Sequence, residues 1–98
     1  MKVIERATMP SGTAIQIEDW HNDYPKVFAP SNTIAAYPKS KSNHHSSFSP
    51  KFNETFRASF NFPTALEAKE AFKQLTNGNK KLSDYSFFMW DKKYADCL

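Results

Sequence analysis

Residues 39–52, KSKSNHHSSFSPKF, carry the side chains of this chain that are best suited to binding an anion. The stretch contains three lysines, two adjacent histidines and five serines, and it has no acidic residue. Lysine supplies positive charge, and hydroxyl and amide groups donate hydrogen bonds to phosphate oxygens. Aromatic rings in and beside the stretch could stack on bases. This combination predicts contact with a single-stranded nucleic acid.

The predicted nucleic-acid surface combines this basic stretch with the exposed face of the strand that follows it. Residues 25–60 hold five basic side chains against Glu54 alone, so the positive charge of a chain with net charge +3 is concentrated in its middle third. Such asymmetry indicates partners rather than fold. The alternative interpretation is a solvated loop between two strands. The residues expected to contact nucleic acid are Lys39, Lys41, Lys51, Arg57, Tyr37 and Phe52.

Two histidines of the basic stretch, His44 and His45, are potential metal ligands, but adjacent side chains point in different directions. Cys97 is the only cysteine, and a third ligand would have to come from His21 or from a carboxylate elsewhere. None of these spacings matches a zinc site. We therefore expect solvated loop histidines, no metal and no cofactor.

The segment EDWHND, residues 18–23, places three carboxylates around His21, a combination that suits general acid–base catalysis. On a strand, however, Glu18 and Asp19 face opposite sides, so the group would converge only at a bulge. The alternative is a charged strand end that leads into a proline loop, with Trp20 as a core or interface anchor. The geometry favours this alternative, and we expect a protein that is not an enzyme.

The aromatic segment YSFFMW, residues 85–90, supports a second hypothesis, that of a protein-interaction or homodimerising module. A helix with this sequence would be apolar on every side, which is typical of a deeply buried helix or of one that contacts a partner. The alternative is that its rings pack across the sheet. The residues expected at a partner interface are Tyr85, Phe88 and Trp90.

Local patterns predict four strands. Residues 2–9 and 13–20 form a hairpin around a turn that contains Pro10 and Gly12. A short third strand runs from Thr33 to Tyr37. Alternation with period two over residues 54–62 predicts the fourth strand. Its core-facing residues would be Phe56, Ala58, Phe60 and Phe62, and its exposed residues Thr55, Arg57, Ser59 and Asn61.

Helix signals follow the fourth strand. Thr64 with Glu67 forms a capping box, and Asn77 with Gly78 ends the helix. The predicted apolar stripe consists of Ala65, Ala68, Phe72 and Leu75. A second helix is predicted to begin at Ser83, with Asp84 in its first turn.

The predicted order is β-β-β-β-α-α, an α+β fold in which an antiparallel sheet of about four strands is followed by one or two C-terminal helices packed on one face. The 98 residues form a single domain with two layers and a flexible polar loop at about 38–53. A single cysteine and a charged N-terminus predict a cytoplasmic protein that does not enter a membrane. The small size and composition favour a bacterial or phage-type source. The expected role is binding, either of nucleic acid or of protein.

Overall fold

A computed structural model describes residues 1–38 and 57–89 of the protein. These residues form an antiparallel sheet in which each strand lies beside its neighbours in the sequence. A single α-helix of the described residues, α1 (Ala65–Thr76), packs on one face of the sheet, which confirms the α+β prediction. The strands, in sheet order, are β1 (Lys2–Thr8), β2 (Ala14–Asp19), β3 (Thr33–Tyr37), β4 (Ala58–Asn61) and β5 (Phe88–Met89).

The connection between β1 and β2 contains a three-residue loop, residues 10–12, which Met9 and Thr13 close, as Pro10 and Gly12 predict. The Met9 N–H donates to the Thr13 carbonyl and the Gly12 N–H donates to the Met9 carbonyl, both at 2.8 Å. Gly12 has φ 92°, the left-handed conformation that the last residue of a three-residue hairpin loop adopts. A β-bulge between Val3 and Glu5 interrupts the pairing near the start of β1.

The core lies between α1 and the sheet face that carries the aliphatic residues of β2 and β3. Ile17 pairs with Ile34, and Ile15 pairs with Ala36. Because directly paired residues share a face, these four side chains form one apolar surface. The helix residues that cover the surface are Ala68, Ala71, Phe72 and Leu75.

Both ends of α1 lie where the sequence predicts them. The Thr64 hydroxyl accepts a hydrogen bond of 3.2 Å from the Glu67 N–H, which confirms the N-cap. Gly78 follows the last turn with φ 84°. The predicted apolar stripe needs one correction, because Ala65 is exposed at the first helical position and Ala71 is buried instead.

The prediction of a second helix is wrong for the part of that segment that the structure describes. A short 3-10 turn (Leu82–Asp84) is followed by extended backbone at Tyr85 and then by β5. Phe87 is buried in the core while Phe88 is 54 % exposed, so neighbouring rings face opposite sides. That alternation suits a strand, and Phe88 pairs with Ser59 of β4.

Other predictions are tested only in part. The fourth strand is confirmed over Ala58–Asn61, but Arg57 and Phe62 lie just outside it, and residues 54–56 lie outside the described part of the chain. The same applies to residues 39–53 of the predicted polar loop. Among the described residues, no helix has the length and apolar content that crossing a bilayer requires.

Candidate functional site

The sheet face opposite α1 carries a polar network centred on Glu18. Because Ile15 and Ile17 of β2 point to the helix, Gln16 and Glu18 point to the other face. Glu18 is 0 % exposed and Gln16 is 3 % exposed. An acidic side chain at this depth requires charged and hydrogen-bonding partners.

Four donors surround the Glu18 carboxylate. The Arg57 guanidinium binds it with both Nη atoms, at 2.8 Å to Oε2 and 2.7 Å to Oε1. The Gln16 Nε2 donates to Oε2 at 2.6 Å and the Trp20 indole Nε1 donates to Oε1 at 2.8 Å. Bidentate arginine–carboxylate pairs of this type combine strength with fixed geometry.

Two further contacts extend the network across the sheet. Arg57 Nη1 also donates to the Tyr37 hydroxyl at 2.9 Å. Arg6 Nε donates to Gln16 Oε1 at 3.1 Å. The network therefore connects β1, β2, the end of β3 and the residue before β4.

The network holds Glu18 in its ionised form. Burial by itself raises the pKa of this carboxyl, but the hydrogen bonds from Arg57, Gln16 and Trp20 and the arginine charge together lower it below the ordinary 4.5. The hydrogen bond to Glu18 raises the pKa of Arg57 above its ordinary range, against the effect of burial. A carboxylate whose oxygens already accept four donors and whose proton affinity is lowered is poorly suited to act as a general base.

A second cluster lies in the connection between β2 and β3, where residues 20–28 form what we call the aromatic loop. The Tyr24 N–H donates to the Trp20 carbonyl and the Phe28 N–H donates to the Tyr24 carbonyl, both at 3.0 Å. These turns bring the rings together: Trp20 lies 6.2 Å from Tyr24 and 6.0 Å from Phe28 between centroids. The loop thus has a local core of three aromatic side chains.

Polar contacts attach the aromatic loop to the sheet. Asp19 accepts from the His21 N–H at 2.8 Å and from the Ser31 hydroxyl at 3.2 Å. The first of these bonds is the main reason why the pKa of Asp19 lies below its ordinary value. The His21 Nδ1 lies 2.7 Å from the Phe28 carbonyl oxygen. Hydrogen bonds therefore hold the beginning and the end of the loop in place, and ring contacts fill its interior.

The tip of the aromatic loop presents apolar surface to solvent. Tyr24 is 53 % exposed and Val27 is 72 % exposed. Pro25 and Lys26, which lie between them, are also exposed. Asp23 pairs with the N-terminal ammonium of Met1, so its charge is partly neutralised.

The structure brings two of the predicted nucleic-acid contacts together. Arg57 and Tyr37 meet in the Glu18 network, where both bind other side chains of the same chain. Tyr37 is only 7 % exposed, so its ring is not available for stacking on a base. The other four predicted contacts lie outside residues 1–38 and 57–89: Lys39, Lys41, Lys51 and Phe52.

The predicted partner-interface residues have different surroundings. The Tyr85 ring packs edge-on against Phe62 at 5.6 Å, and burial raises the pKa of Tyr85. Phe88 is exposed on β5. Trp90 lies beyond the described residues, as do His44 and His45. Within the part of the chain that the structure describes, no three potential metal ligands lie close together.

Sequence reasoning missed the aromatic loop as a unit. Trp20, Tyr24 and Phe28 are spaced four residues apart, which is the spacing of one helical turn. Pro25 within the loop and Pro30 after it favoured the interpretation of residues 22–31 as an irregular loop. The spacing was the available signal for a turn that stacks its rings.

Comparison with known proteins adds no relative from which a role could be transferred. The chain matches no protein-family model, no curated protein and no solved structure. Its function must therefore be inferred from its own surfaces.

Proposed function

We propose that this chain is a non-enzymatic protein-interaction module that contacts its partner through the tip of the aromatic loop. The observation that carries the proposal is the exposure of Tyr24 and Val27 on a loop that other contacts already hold in place. Aromatic side chains on rigid supports are typical centres of protein interfaces. The expected partner surface is an apolar pocket with an acidic rim, because Lys26 lies between the two exposed side chains.

The order of the loop favours binding energetically. A partner that binds a flexible loop must offset the conformational entropy of ordering it. Here the ring contacts, the two hydrogen bonds to Asp19 and the bond to the Phe28 carbonyl already restrict the backbone. Binding at the tip would then order only the two exposed side chains.

The polar network supports a structural role for the ionisable groups beneath the loop. Trp20 donates to Glu18, so the loop rests on the network at its first residue. Glu18 and Arg57 satisfy each other, which leaves Glu18 poorly placed to transfer protons. As part of the same proposal, we place the module in the cytoplasm, because a small domain with one cysteine has no internal disulfide.

Binding of single-stranded nucleic acid stays a prediction. It depends on Lys39, Lys41, Lys51 and Phe52, and Arg57 adds little positive potential while Glu18 neutralises it. The test below includes nucleic acid for this reason.

The experiment uses the full chain with a photo-crosslinking amino acid at Val27, and a second protein with the same group at Ser83. Ser83 is the control position, since it is exposed in the 3-10 turn and lies outside the aromatic loop. Both proteins are exposed to an extract of the source cells, and those cell proteins that crosslink only to the Val27 position are purified. Calorimetry then measures their affinity for the wild-type chain and for the Tyr24→Ala variant. We expect about a tenfold or greater loss of affinity for the variant. NMR titrations with single-stranded DNA and RNA run in parallel.

Two results would overturn the proposal. One is an identical set of crosslinked proteins at both positions. The other is a Tyr24→Ala variant that binds the purified proteins with the same affinity as the wild-type chain. Shift changes on added nucleic acid that disappear in a Lys39→Ala, Lys41→Ala double variant would favour the nucleic-acid hypothesis instead.

A further inference from the structure

A groove separates the edge strand β1 from α1. It has a volume of about 530 Å³, within the range of roughly 300–1,000 Å³ that is usual for ligand sites. Its apolar surface comes from Ala7, Leu66 and Phe72, and Leu66 is 79 % exposed. Charged side chains of both signs also line it: Glu5, Lys69, Glu70 and Lys73.

β1 forms one wall of the groove, and some of its backbone hydrogen-bonding groups point away from the sheet. β1 is the first strand in the sheet order, so one of its edges has no neighbouring strand among the described residues. The bond from the Met9 N–H to the Thr13 carbonyl makes Met9 and Thr13 a hydrogen-bonded pair of the hairpin. In an antiparallel ladder such pairs alternate with pairs that are not hydrogen-bonded, so Thr8, the preceding residue, directs its own N–H and C=O away from β2 and toward the open edge.

The pairing of β1 with β2 shows on which face of the sheet the groove lies. Ala7 pairs with Ile15 and Glu5 pairs with Ile17, so both side chains lie on the face that α1 covers. The groove therefore begins at the open edge of the sheet and continues under the helix. An extended chain is the one polypeptide conformation that can hydrogen-bond to this edge and place alternate side chains in the groove.

We propose that the groove binds an extended segment of a partner polypeptide, which hydrogen-bonds to β1 at Thr8 and adds a further strand to the sheet. This site is distinct from the tip of the aromatic loop and goes beyond the interaction proposed for it. The two surfaces are tested by different variants.

The lining indicates the composition of the bound segment. The residue opposite Ala7 points into the groove toward Phe72, which favours an apolar side chain. The residue opposite Glu5 points to the same face. Glu5 forms no ion pair with another described residue, so a basic side chain there would neutralise it. The intervening residue points to the other face of the sheet.

The bulge near Ile4 restricts where a strand can add. Bulges and charged residues blunt an edge against pairing with other chains. In β1 the bulge lies between Val3 and Glu5, while Glu5–Thr8 keeps a regular register with β2. The regular half of the edge is the half that lines the groove.

The test selects a displayed library of short random peptides against the full chain. We expect enriched peptides to contain an extended, proline-free stretch with an apolar and a basic side chain two residues apart. Amide shift changes in an NMR titration should be centred on Glu5–Thr8 and on the groove side of α1. Failure to enrich any peptide, or shift changes centred elsewhere, would overturn the proposal.

Thr8→Pro removes the N–H on the open side of β1, where no bond to β2 is lost. We expect it to weaken binding of an enriched peptide about tenfold, while Thr8→Val, which retains the N–H, binds like the wild type. Equal binding by both variants would exclude strand addition. Should Thr8→Pro not fold, N-methylation of single peptide bonds in the ligand tests the same bonds from the other side. Alternate positions should then lose affinity, and a uniform response would count against the proposal.

Thr8→Pro also separates the two sites. It should leave binding through Tyr24 and Val27 unchanged, because the aromatic loop lies at the opposite end of the β1–β2 hairpin. Conversely, Tyr24→Ala should leave peptide binding at the groove unchanged.

Discussion

At the scale of single residues, Glu18 is a position where a single substitution should lower the stability of the fold strongly. Its carboxylate is fully buried and binds Arg57 through both oxygens. Removing one partner of such a pair leaves the other charge without compensation.

We expect Glu18→Ala to lower the free energy of unfolding by about 3–5 kcal/mol, as is usual for a broken buried ion pair. Urea unfolding followed by circular dichroism measures the change. Glu70→Ala is the control, because Glu70 is exposed and accepts a hydrogen bond only from Gln74 among the described residues. A comparable loss in both variants would show that Glu18 does not occupy the buried position described here.

Gly78 is a second sensitive residue. It has φ 84°, and a Cβ atom built there would lie 3.1 Å from the Pro10 Cγ. We expect Gly78→Ala to cost about 1–2 kcal/mol, since the left-handed conformation is strained for alanine. The double variant with Pro10→Ala relieves the close contact but not the backbone strain, so thermal unfolding should show partial recovery. Complete recovery would mean that the contact alone is responsible.

At the scale of elements, the register of β4 determines which side chains enter the core. Phe60 pairs with Ile34 on the face that α1 covers, while Ser59 pairs with Ala35 on the other face. The Phe60 ring lies edge-on to Phe62 at 4.7 Å and close to Phe87 at 5.9 Å.

Phe60→Ala should destabilise the protein by about 2–3 kcal/mol, because the ring packs against the core but is only partly buried. Ser59→Ala, at the neighbouring position, should change stability by less than about 0.5 kcal/mol. Both values are available from denaturant unfolding. A larger effect at Ser59 than at Phe60 would contradict the register.

At the scale of the whole molecule, the ionised Glu18 makes stability depend on pH. The pKa of Glu18 is lowered in the folded protein, so the folded state binds its proton less readily than the unfolded chain does. The resulting stability is present above the ordinary value of 4.5 and is lost as the pH falls through the lower pKa of the folded protein.

The expected outcome is a steep loss of stability below about pH 4.5 that Glu18→Gln reduces. Urea unfolding at a series of pH values provides the measurement. Asp19 also has a lowered pKa and contributes in the same direction, so Asp19→Asn serves as the comparison. If Glu18→Gln retained the full acid dependence of the wild type, the ion pair would not be its source.

Much of the fold follows from local patterns in the sequence. The three-residue loop with Gly12 at positive φ, the Thr64 cap and the alternation around Phe60 each depend on residues that are close neighbours in the chain. Backbone sterics and short-range hydrogen bonds act over these distances, so the sequence suffices to predict them.

The C-terminal aromatic segment shows where local patterns fail. Four apolar residues in a row are compatible with a buried helix or with a strand. The open edge of β4 decides between them, because Phe88 and Met89 can pair there while Phe87 turns into the core. That edge is a property of the assembled sheet.

By itself, the sequence determined the positions of the first three strands and of α1, the turn that joins β1 to β2 and the caps of α1. The tertiary structure alone decided the partners of Glu18 and Arg57, which are 39 residues apart in the chain. It also decided that Tyr24 and Val27 remain exposed to solvent. The physical reason is range: propensity and capping act between neighbours, whereas burial and ion pairing depend on which strands meet.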